Sequence, residues 1–291
     1  MRFGVALPQA GPFLSPEVQQ RLSGELEALG FDSLWVSDHV IVPAGERYIP
    51  ETMHEPLALL AWLAARTSRV TLGISVLILP YRDPVFTAKF LSSVDVLSGG
   101  RLVLGIGAGW LQAEFEALSA DFERRGAVTD EYLRVIRNLW ETETSSFEGP
   151  TKRYRDMRMF PKQAPDRVGT IPILVGGNQA PSVRRAAELG DGWHPINLGP
   201  GELATGIAGY RAACDRFGRT PGTVNLRHMP GGRTVPEGSP LSGSAEQQAG
   251  DVRAYADAGL DELMLSLPAR SPDELLDKVG SFMTDVVPRT R

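Results

Sequence analysis

An acidic residue and a histidine, Asp38 and His39, stand side by side just after the short apolar run Ser33–Val36. Histidine titrates near neutral pH, and a neighbouring carboxylate can orient its ring or stabilise its charged form. The pair is therefore our candidate for general acid–base chemistry. The structural alternative is that Asp38 caps a loop and His39 packs beneath it. A position at the end of a strand favours the catalytic interpretation.

Two glycine-rich segments also follow apolar runs, at residues 105–109 and 176–178. The segment 176–178 precedes a helix that begins near Pro181, so its N–H groups could bind a phosphate, or it could simply be a tight turn. The glycines of 105–109 could let a flat ring lie against the backbone, or could relieve crowding at the rim of a barrel. The residues alone leave these alternatives open.

The composition excludes several other kinds of site. With a single cysteine, Cys214, the chain can form neither an internal disulfide nor a cysteine-based zinc site. The four histidines are dispersed, so we expect no metal site; they are His39, His54, His194 and His228. The balance of 30 Lys and Arg against 35 Asp and Glu, 30 − 35 = −5, predicts no nucleic-acid or anionic-membrane partner.

Neither a membrane span nor a basic leader is visible, and we expect a cytoplasmic protein with a small-molecule substrate. One segment has a positive net charge although the whole chain is acidic. Residues 151–167 contain six basic and two acidic residues, 6 − 2 = +4. It could bind an anionic ligand tail, or it could be a solvated loop. Its basic residues are Lys152, Arg153, Arg155, Arg158, Lys162 and Arg167.

Eight apolar runs alternate with eight helical patterns along the chain, which favours a (β/α)8 TIM barrel over an open doubly wound sheet. The first turn, at Gln9–Pro12, also lacks the Rossmann glycine signature. We predict one domain over residues 1–291, with an irregular insertion at about 147–170 before the fifth strand and a second polar stretch at 230–244. The predicted strands are Phe3–Leu7, Ser33–Val36, Val70–Leu79, Leu102–Ile106, Ile171–Val175, Gly192–Ile196, Val224–Met229 and Glu262–Leu267.

Several motifs, in this order and spacing, give the chain a family resemblance over nearly its whole length. They are Gly30–His39, Leu72–Val76, Ser98–Trp110, Glu114–Leu118, Pro172–Gly177 and Gly190–Trp193. The chain resembles the luciferase-like monooxygenase superfamily, and more closely its actinobacterial oxidoreductases that depend on the deazaflavin coenzyme F420. The resemblance implies a (β/α)8 barrel with an insertion before the fifth strand, and a homodimer.

The resemblance also implies roles for individual residues. It places a non-prolyl cis peptide at Ser75–Val76 behind the tricyclic ring of the cofactor, Asp38 near the polar edge of that ring, and His39 as acid or base. It assigns phosphate binding to the turn at Gly176 and Gly177. The remaining assignments as cofactor contacts are Gly107, Ala108 and Asn178.

Trp110 departs from the family pattern, since sugar-phosphate dehydrogenases of this group have a glutamate at that position. The tryptophan puts a sugar-phosphate substrate in doubt and suits a flatter, more apolar one, unless it is a packing residue. We assign Trp110 and Trp193 as substrate contacts. Our first hypothesis is an F420-dependent hydride transfer with proton exchange through His39. The alternatives are an FMN-dependent monooxygenase and a carrier that binds the cofactor without turnover.

Overall fold

A computed structural model describes residues 1–47, 49–165, 170–230 and 240–290. Eight parallel strands close into a barrel in the order β1, β10, β9, β8, β7, β4, β3, β2, which confirms the predicted (β/α)8 fold. The strands are β1 (Arg2–Ala6), β2 (Ser33–Val36), β3 (Thr71–Ile78), β4 (Leu102–Gly107), β5 (Ser145–Glu148), β6 (Arg153–Met157), β7 (Ile173–Gly176), β8 (Gly192–His194), β9 (Thr223–His228) and β10 (Glu262–Leu265).

Helices connect the barrel strands, and their starts follow the signals in the sequence. Ser15 caps the first helix by accepting a hydrogen bond from the N–H of Val18, with Pro16 at the first helical position. Ser271 and Pro272 begin the last long helix in the same way. The helices are α1 (Pro16–Ala28), α2 (Pro56–Arg66), α3 (Pro84–Leu97), α4 (Gln112–Ala117), α5 (Arg125–Glu141), α6 (Ala180–Leu189), α7 (Pro200–Arg216), α8 (Ala245–Asp257) and α9 (Pro272–Ser281).

The insertion before the fifth barrel strand differs from the irregular segment that we expected. Strands β5 and β6 pair antiparallel to form a separate two-stranded sheet. The sequence hides this hairpin because β6 is mostly exposed and charged, so it lacks the apolar alternation that reveals a half-buried strand. Of the second polar stretch, residues 231–239 lie outside the described part of the chain, as does Arg167.

The described residues form two compact units, Met1–Trp35 with Leu174–Arg291, and Val36–Ile173. In the first unit, Val5, Leu226 and Leu263 are fully buried strand residues. In the second, Leu72, Ile74, Leu104 and Ile106 of β3 and β4 and helix residues such as Leu60 form a fully buried core. Burial of both strand faces explains why the barrel strands are continuous apolar runs in the sequence.

Candidate functional site

His39 lies in the loop after β2, and a carboxylate orients its ring as expected, but that carboxylate is Glu114 rather than Asp38. The Nδ1 atom of His39 is 2.9 Å from Oε2 of Glu114, which lies on α4. The His39 side chain is 19% exposed, whereas that of Glu114 is fully buried. The Nδ1 atom of His39 is therefore held by Glu114, while solvent or a ligand can reach the rest of the ring.

Glu114 accepts hydrogen bonds on both oxygens. Oε1 accepts from the backbone N–H groups of Val40 and Ile41, while Oε2 accepts from Nδ1 of His39 and, at 3.0 Å, from the hydroxyl of Tyr81. Burial raises the pKa of the Glu114 carboxyl, but the hydrogen bonds from His39, Val40 and Ile41 outweigh it, so the pKa lies below its ordinary value. Glu114 is thus a buried carboxylate that is ionised at neutral pH.

Asp38 forms an ion pair instead of assisting His39. Its oxygens accept from Nη1 and Nη2 of Arg82 at 2.7 and 2.8 Å, and Oδ2 also accepts from the N–H of Ile78 at 2.8 Å. Burial raises the pKa of Asp38, and Arg82 acts in the opposite direction. The Asp38 side chain is fully buried and its oxygens are bonded to Arg82 and Ile78, so it does not assist His39, and its assignment as a cofactor contact stays a prediction. Asp38 instead anchors Arg82, which also pairs with Glu55 at 2.8 Å.

The peptide bond between Ser75 and Val76 is cis, as the resemblance implied. It lies within β3, where the pairing with β4 shifts register between Ile74 and Leu77. A Cβ atom on Gly105 would lie 2.2 Å from the carbonyl oxygen of Ile74, and one on Gly107 would lie 2.6 Å from Cγ2 of Val76.

The glycine segment at the end of β4 therefore relieves crowding against β3, and the contact of Gly107 and Ala108 with a cofactor ring stays a prediction. Gly109 has a φ of +83°, and a Cβ atom there would lie 2.7 Å from the ring of Phe115. Left-handed backbone and this close packing both favour glycine. Ala108, between the crowded glycines, is half-buried.

An exposed tryptophan contacts His39, and two exposed apolar residues follow it in the chain. Trp110 is 56% exposed and meets the His39 ring edge-on, with ring centroids 6.3 Å apart. Val40 and Ile41, the next residues in the chain, are 46% and 52% exposed. A surface of this kind suits an apolar ligand beside a titratable group. Trp110 is consequently not a packing residue, and its assignment as a substrate contact stays a prediction.

In the other compact unit, the turn at 176–178 joins β7 to α6. Gly177 has a φ of +109°, its N–H donates to the carbonyl of His194 at 3.2 Å, and its carbonyl accepts from Nε1 of Trp193 at 2.8 Å. The side chain of Asn178 exchanges two hydrogen bonds with the backbone of Ile196. Gln179, the N-cap of α6, makes no side-chain capping bond. No side-chain cap closes the first turn of α6, and its N–H groups can therefore bind an anion.

Trp193 is not available to a substrate. It is 1% exposed, and its ring packs against Tyr210 with centroids 6.2 Å apart. With its indole N–H bonded to Gly177, Trp193 is a core residue that supports the 176–178 turn. The assignment as a substrate contact is wrong because the aromatic ring of this strand residue faces the helix layer, at α7.

Most basic residues of the insertion already have partners. Lys152 pairs with Asp83, Arg153 with Glu148 and Arg158 with Glu143. Lys162 donates to the carbonyls of Leu139 and Thr142. Within the described residues, Arg155 has no ion pair. The segment therefore offers less uncompensated positive charge than its composition predicts, and its role in holding an anionic tail stays a prediction.

Among the described residues, no group of three or more His, Cys, Asp and Glu side chains is arranged to hold a metal ion. None of the helices in that part of the chain has the length and apolar character to cross a bilayer.

Glu114, Tyr81 and Arg82 take part in the site although the sequence did not mark them as functional residues. Glu114 and Tyr81 are distant from His39 in the chain, and α4, which brings Glu114 to His39, is too short to show helical periodicity. The available signal in the sequence is that Glu114 lies in one of the family motifs, Glu114–Leu118, next to the apolar Phe115.

Comparisons with known proteins agree with the fold and the motifs. The model of the luciferase-like monooxygenase family matches residues 1–237. An F420-dependent glucose-6-phosphate dehydrogenase of Amycolatopsis mediterranei is 26% identical over 318 residues, an alignment that covers 91% of this chain and 92% of that protein.

Two solved structures share the architecture over the full length of this chain. A monooxygenase, RslO1, from Streptomyces bottropensis superposes with a TM-score of 0.82 at 22% identity, covering 100% of both chains. An F420-dependent secondary alcohol dehydrogenase superposes with a TM-score of 0.79 at 17% identity, covering 100% of this chain and 99% of that one. By its fold, its motifs and the family match, the chain belongs to the luciferase-like monooxygenase family.

Proposed function

We propose that the protein is an oxidoreductase that transfers a hydride between coenzyme F420 and a small, uncharged carbonyl or alcohol substrate. The observation that carries the proposal is the partly exposed His39, fixed by a buried carboxylate and in contact with the exposed Trp110. The relative from Amycolatopsis mediterranei, whose name states F420 dependence, supports the cofactor. The exposed Trp110 argues for an apolar substrate rather than a sugar phosphate.

The residues fit an F420-type cofactor in two respects, each within its own unit. The glycines of β4 let the backbone approach β3 closely around the bulge, and we propose that Ser75, Val76, Gly107 and Ala108 contact the ring. The first turn of α6 has no side-chain cap, and we propose that the turn at Gly176, Gly177 and Asn178 holds the phosphate against the N–H groups of that first turn and the positive end of the helix dipole.

Bound F420 would accept or supply the hydride, because the oxidised deazaflavin ring takes up two electrons and the reduced ring releases them. The protein's own contribution is to orient the substrate and to exchange a proton. His39 would provide that proton exchange, while Trp110, Val40 and Ile41 would exclude water from the substrate. Asp38 and Arg82 act as positioning residues in this proposal, because their charges neutralise each other.

The test begins with cofactor choice. F420 and FMN are titrated separately against tryptophan fluorescence, and we expect saturable quenching by F420 at micromolar concentration. Reduced F420 is then mixed with the protein and a panel of cyclic ketones, enones and sugar phosphates in single turnovers. We expect oxidation of F420 with an apolar ketone or enone. Quenching by FMN alone would favour the monooxygenase, and binding of F420 without turnover of any substrate would favour the carrier.

We further propose a single barrel domain that acts as a homodimer in the cytoplasm and binds no nucleic acid. Exposed apolar residues support an interface: Val85, Met157 and Phe160 are 37%, 55% and 51% exposed and line one cavity beside the hairpin of β5 and β6. Light scattering after size exclusion should give twice the chain mass of 31.6 kDa. Phe160→Glu should shift the species towards monomer, and an unchanged monomeric mass for the parent protein would rule out the dimer.

A further inference from the structure

We propose that Glu114 is a positioning residue that keeps the proton of neutral His39 on Nδ1, so that Nε2 is the atom that exchanges a proton with the substrate. The assignment of the tautomer stands on the geometry of the buried cluster alone. The role of Nε2 in turnover rests on the proposed function.

The bonding capacity of the carboxylate determines where the histidine proton lies. Glu114 receives bonds from the N–H groups of Val40 and Ile41, from the Tyr81 hydroxyl and from His39. An ionised carboxylate only accepts hydrogen bonds, so the Nδ1 atom of His39 must carry the hydrogen that joins them. In the neutral ring, Nε2 then carries the lone pair. Within the described residues, no protein atom is hydrogen-bonded to Nε2.

The same carboxylate also organises the surroundings of the ring. Its Oε1 atom holds the backbone of Val40 and Ile41, the two residues after His39, whose side chains are exposed. Its Oε2 atom is shared between His39 and Tyr81, and Tyr81 in turn packs edge-on against Phe115 with centroids 4.8 Å apart. The orientation of the His39 ring and the backbone of the two residues after it therefore depend on the buried Glu114 carboxylate. In other enzymes a carboxylate orients a catalytic histidine in the same way.

The proton balance follows from this tautomer. In the oxidation of an alcohol, Nε2 of His39 would take the O–H proton as the carbon–oxygen double bond forms, and bound F420 would accept the C–H hydride. The imidazolium that results is stabilised by ionised Glu114. In ketone reduction, bound F420 would supply the hydride to carbon, and Nε2 would return the proton to the new alkoxide oxygen.

The variant Glu114→Gln gives a directional test. The N–H groups of Val40 and Ile41 require an acceptor, so they hold the amide oxygen at the Oε1 position. The amide nitrogen then lies at the Oε2 position and donates to Nδ1 of His39, which moves the histidine proton to Nε2. The matched control is Glu116→Gln, on the same helix, where the exposed glutamate only accepts a bond from Gln112 at 2.9 Å. Tyr81→Phe removes one donor to Oε2 and leaves the His39 contact in place.

The readout is long-range proton–nitrogen NMR of protein labelled with ¹⁵N-histidine, with and without F420, and the His39 signals are assigned by their absence from His39→Gln. Only four histidines contribute signals. We expect the Nδ1–H tautomer in the parent protein, Glu116→Gln and Tyr81→Phe, and the Nε2–H tautomer in Glu114→Gln. An Nε2–H tautomer in the parent, or identical spectra for parent and Glu114→Gln, would overturn the proposal. Thermal unfolding of each variant verifies that it is folded.

Kinetics test the role of Nε2 in turnover. In Glu114→Gln we expect kcat to fall by about 10²–10⁴ with KM changed by less than about threefold, because a misplaced proton removes the base without removing the binding surface. Glu116→Gln should match the parent protein. A failure to find any substrate would contradict the proposed function, and the NMR spectra would still decide the tautomer. Full activity of Glu114→Gln with the shifted tautomer would refute the role of Nε2.

Discussion

The Nδ1 atom of His39 lies 2.9 Å from Oε2 of Glu114, although the two residues are 75 positions apart in the chain. His39 is on the loop after β2 and Glu114 is on α4, after β4. The segments that follow two barrel strands thus bring a histidine and a carboxylate together, at the end of the barrel where this fold usually assembles an active site. His39 therefore pairs with Glu114 and not with its sequence neighbour Asp38, whose charge is balanced by Arg82.

Replacing His39 should affect turnover rather than cofactor binding. In His39→Gln we expect F420 affinity to stay within a few-fold of the parent value and turnover to fall by about 10²–10⁴, the usual range for loss of a general acid or base. Fluorescence titration and single-turnover kinetics measure the two effects separately. His54→Gln, at a half-buried position, serves as the control. Unchanged turnover in His39→Gln with a substrate of the parent enzyme would assign His39 a packing role.

The two acidic partners of Arg82 should differ strongly in their contribution to stability. Asp38→Asn leaves the Arg82 guanidinium without its buried counter-charge, and we expect a loss of about 3–5 kcal/mol in the free energy of unfolding. Glu55 is 42% exposed, so Glu55→Gln should cost less than about 1 kcal/mol. Urea unfolding of both variants tests the difference. Equal losses would mean that the Asp38–Arg82 pair is no more important than a surface contact.

The glycine at the end of β4 should not tolerate a side chain. In Gly107→Ala the new Cβ atom would lie 2.6 Å from Cγ2 of Val76, and overpacking of this kind costs typically about 1–3 kcal/mol. Gly209, on the exposed face of α7, has no atom within 4 Å of such a Cβ, so Gly209→Ala should stabilise the helix by about 0.5–1 kcal/mol. Chemical unfolding should give opposite signs for the two variants. A neutral Gly107→Ala would show that the contact between β3 and β4 relaxes easily.

Two buried histidines should make the protein sensitive to mild acid. Burial lowers the pKa of His194 and of His228 from 6.5 to about 4. Between these values the unfolded chain binds protons that the folded chain does not, so stability falls as the pH drops from about 6.5 to 4 and levels off below. The loss is at most roughly 3 kcal/mol for each histidine.

Urea midpoints at about pH 7, 6, 5 and 4.5 measure this dependence. His228→Gln should remove about half of the decrease, because the glutamine has no proton to gain, whereas His54→Gln serves as the control. A midpoint that is constant over this range in the parent protein would contradict the prediction.

The fold was predictable from the sequence because its determinants are local. Each barrel strand is buried on both faces, so it is a continuous apolar run in the sequence, and the helices are marked by Ser–Pro starts at Ser15 and Ser271. The position of His39 after the strand Ser33–Val36 identified the acid–base candidate for the same reason. The hairpin of β5 and β6 was missed because β6 is mostly exposed and charged, and α4 was missed because six residues are too few to show a period.

The partners of the candidate residues depended on the tertiary structure. Adjacent residues in a loop point in different directions, so Asp38 turns inward to Arg82 while His39 turns to Glu114, and no pattern of residue types specifies that separation. The burial of Trp193 and the exposure of Trp110 also depended on the tertiary structure, because the packing of other elements determines how much of each side chain is covered. Local periodicity therefore determined the barrel, and long-range packing decided which side chains meet within it.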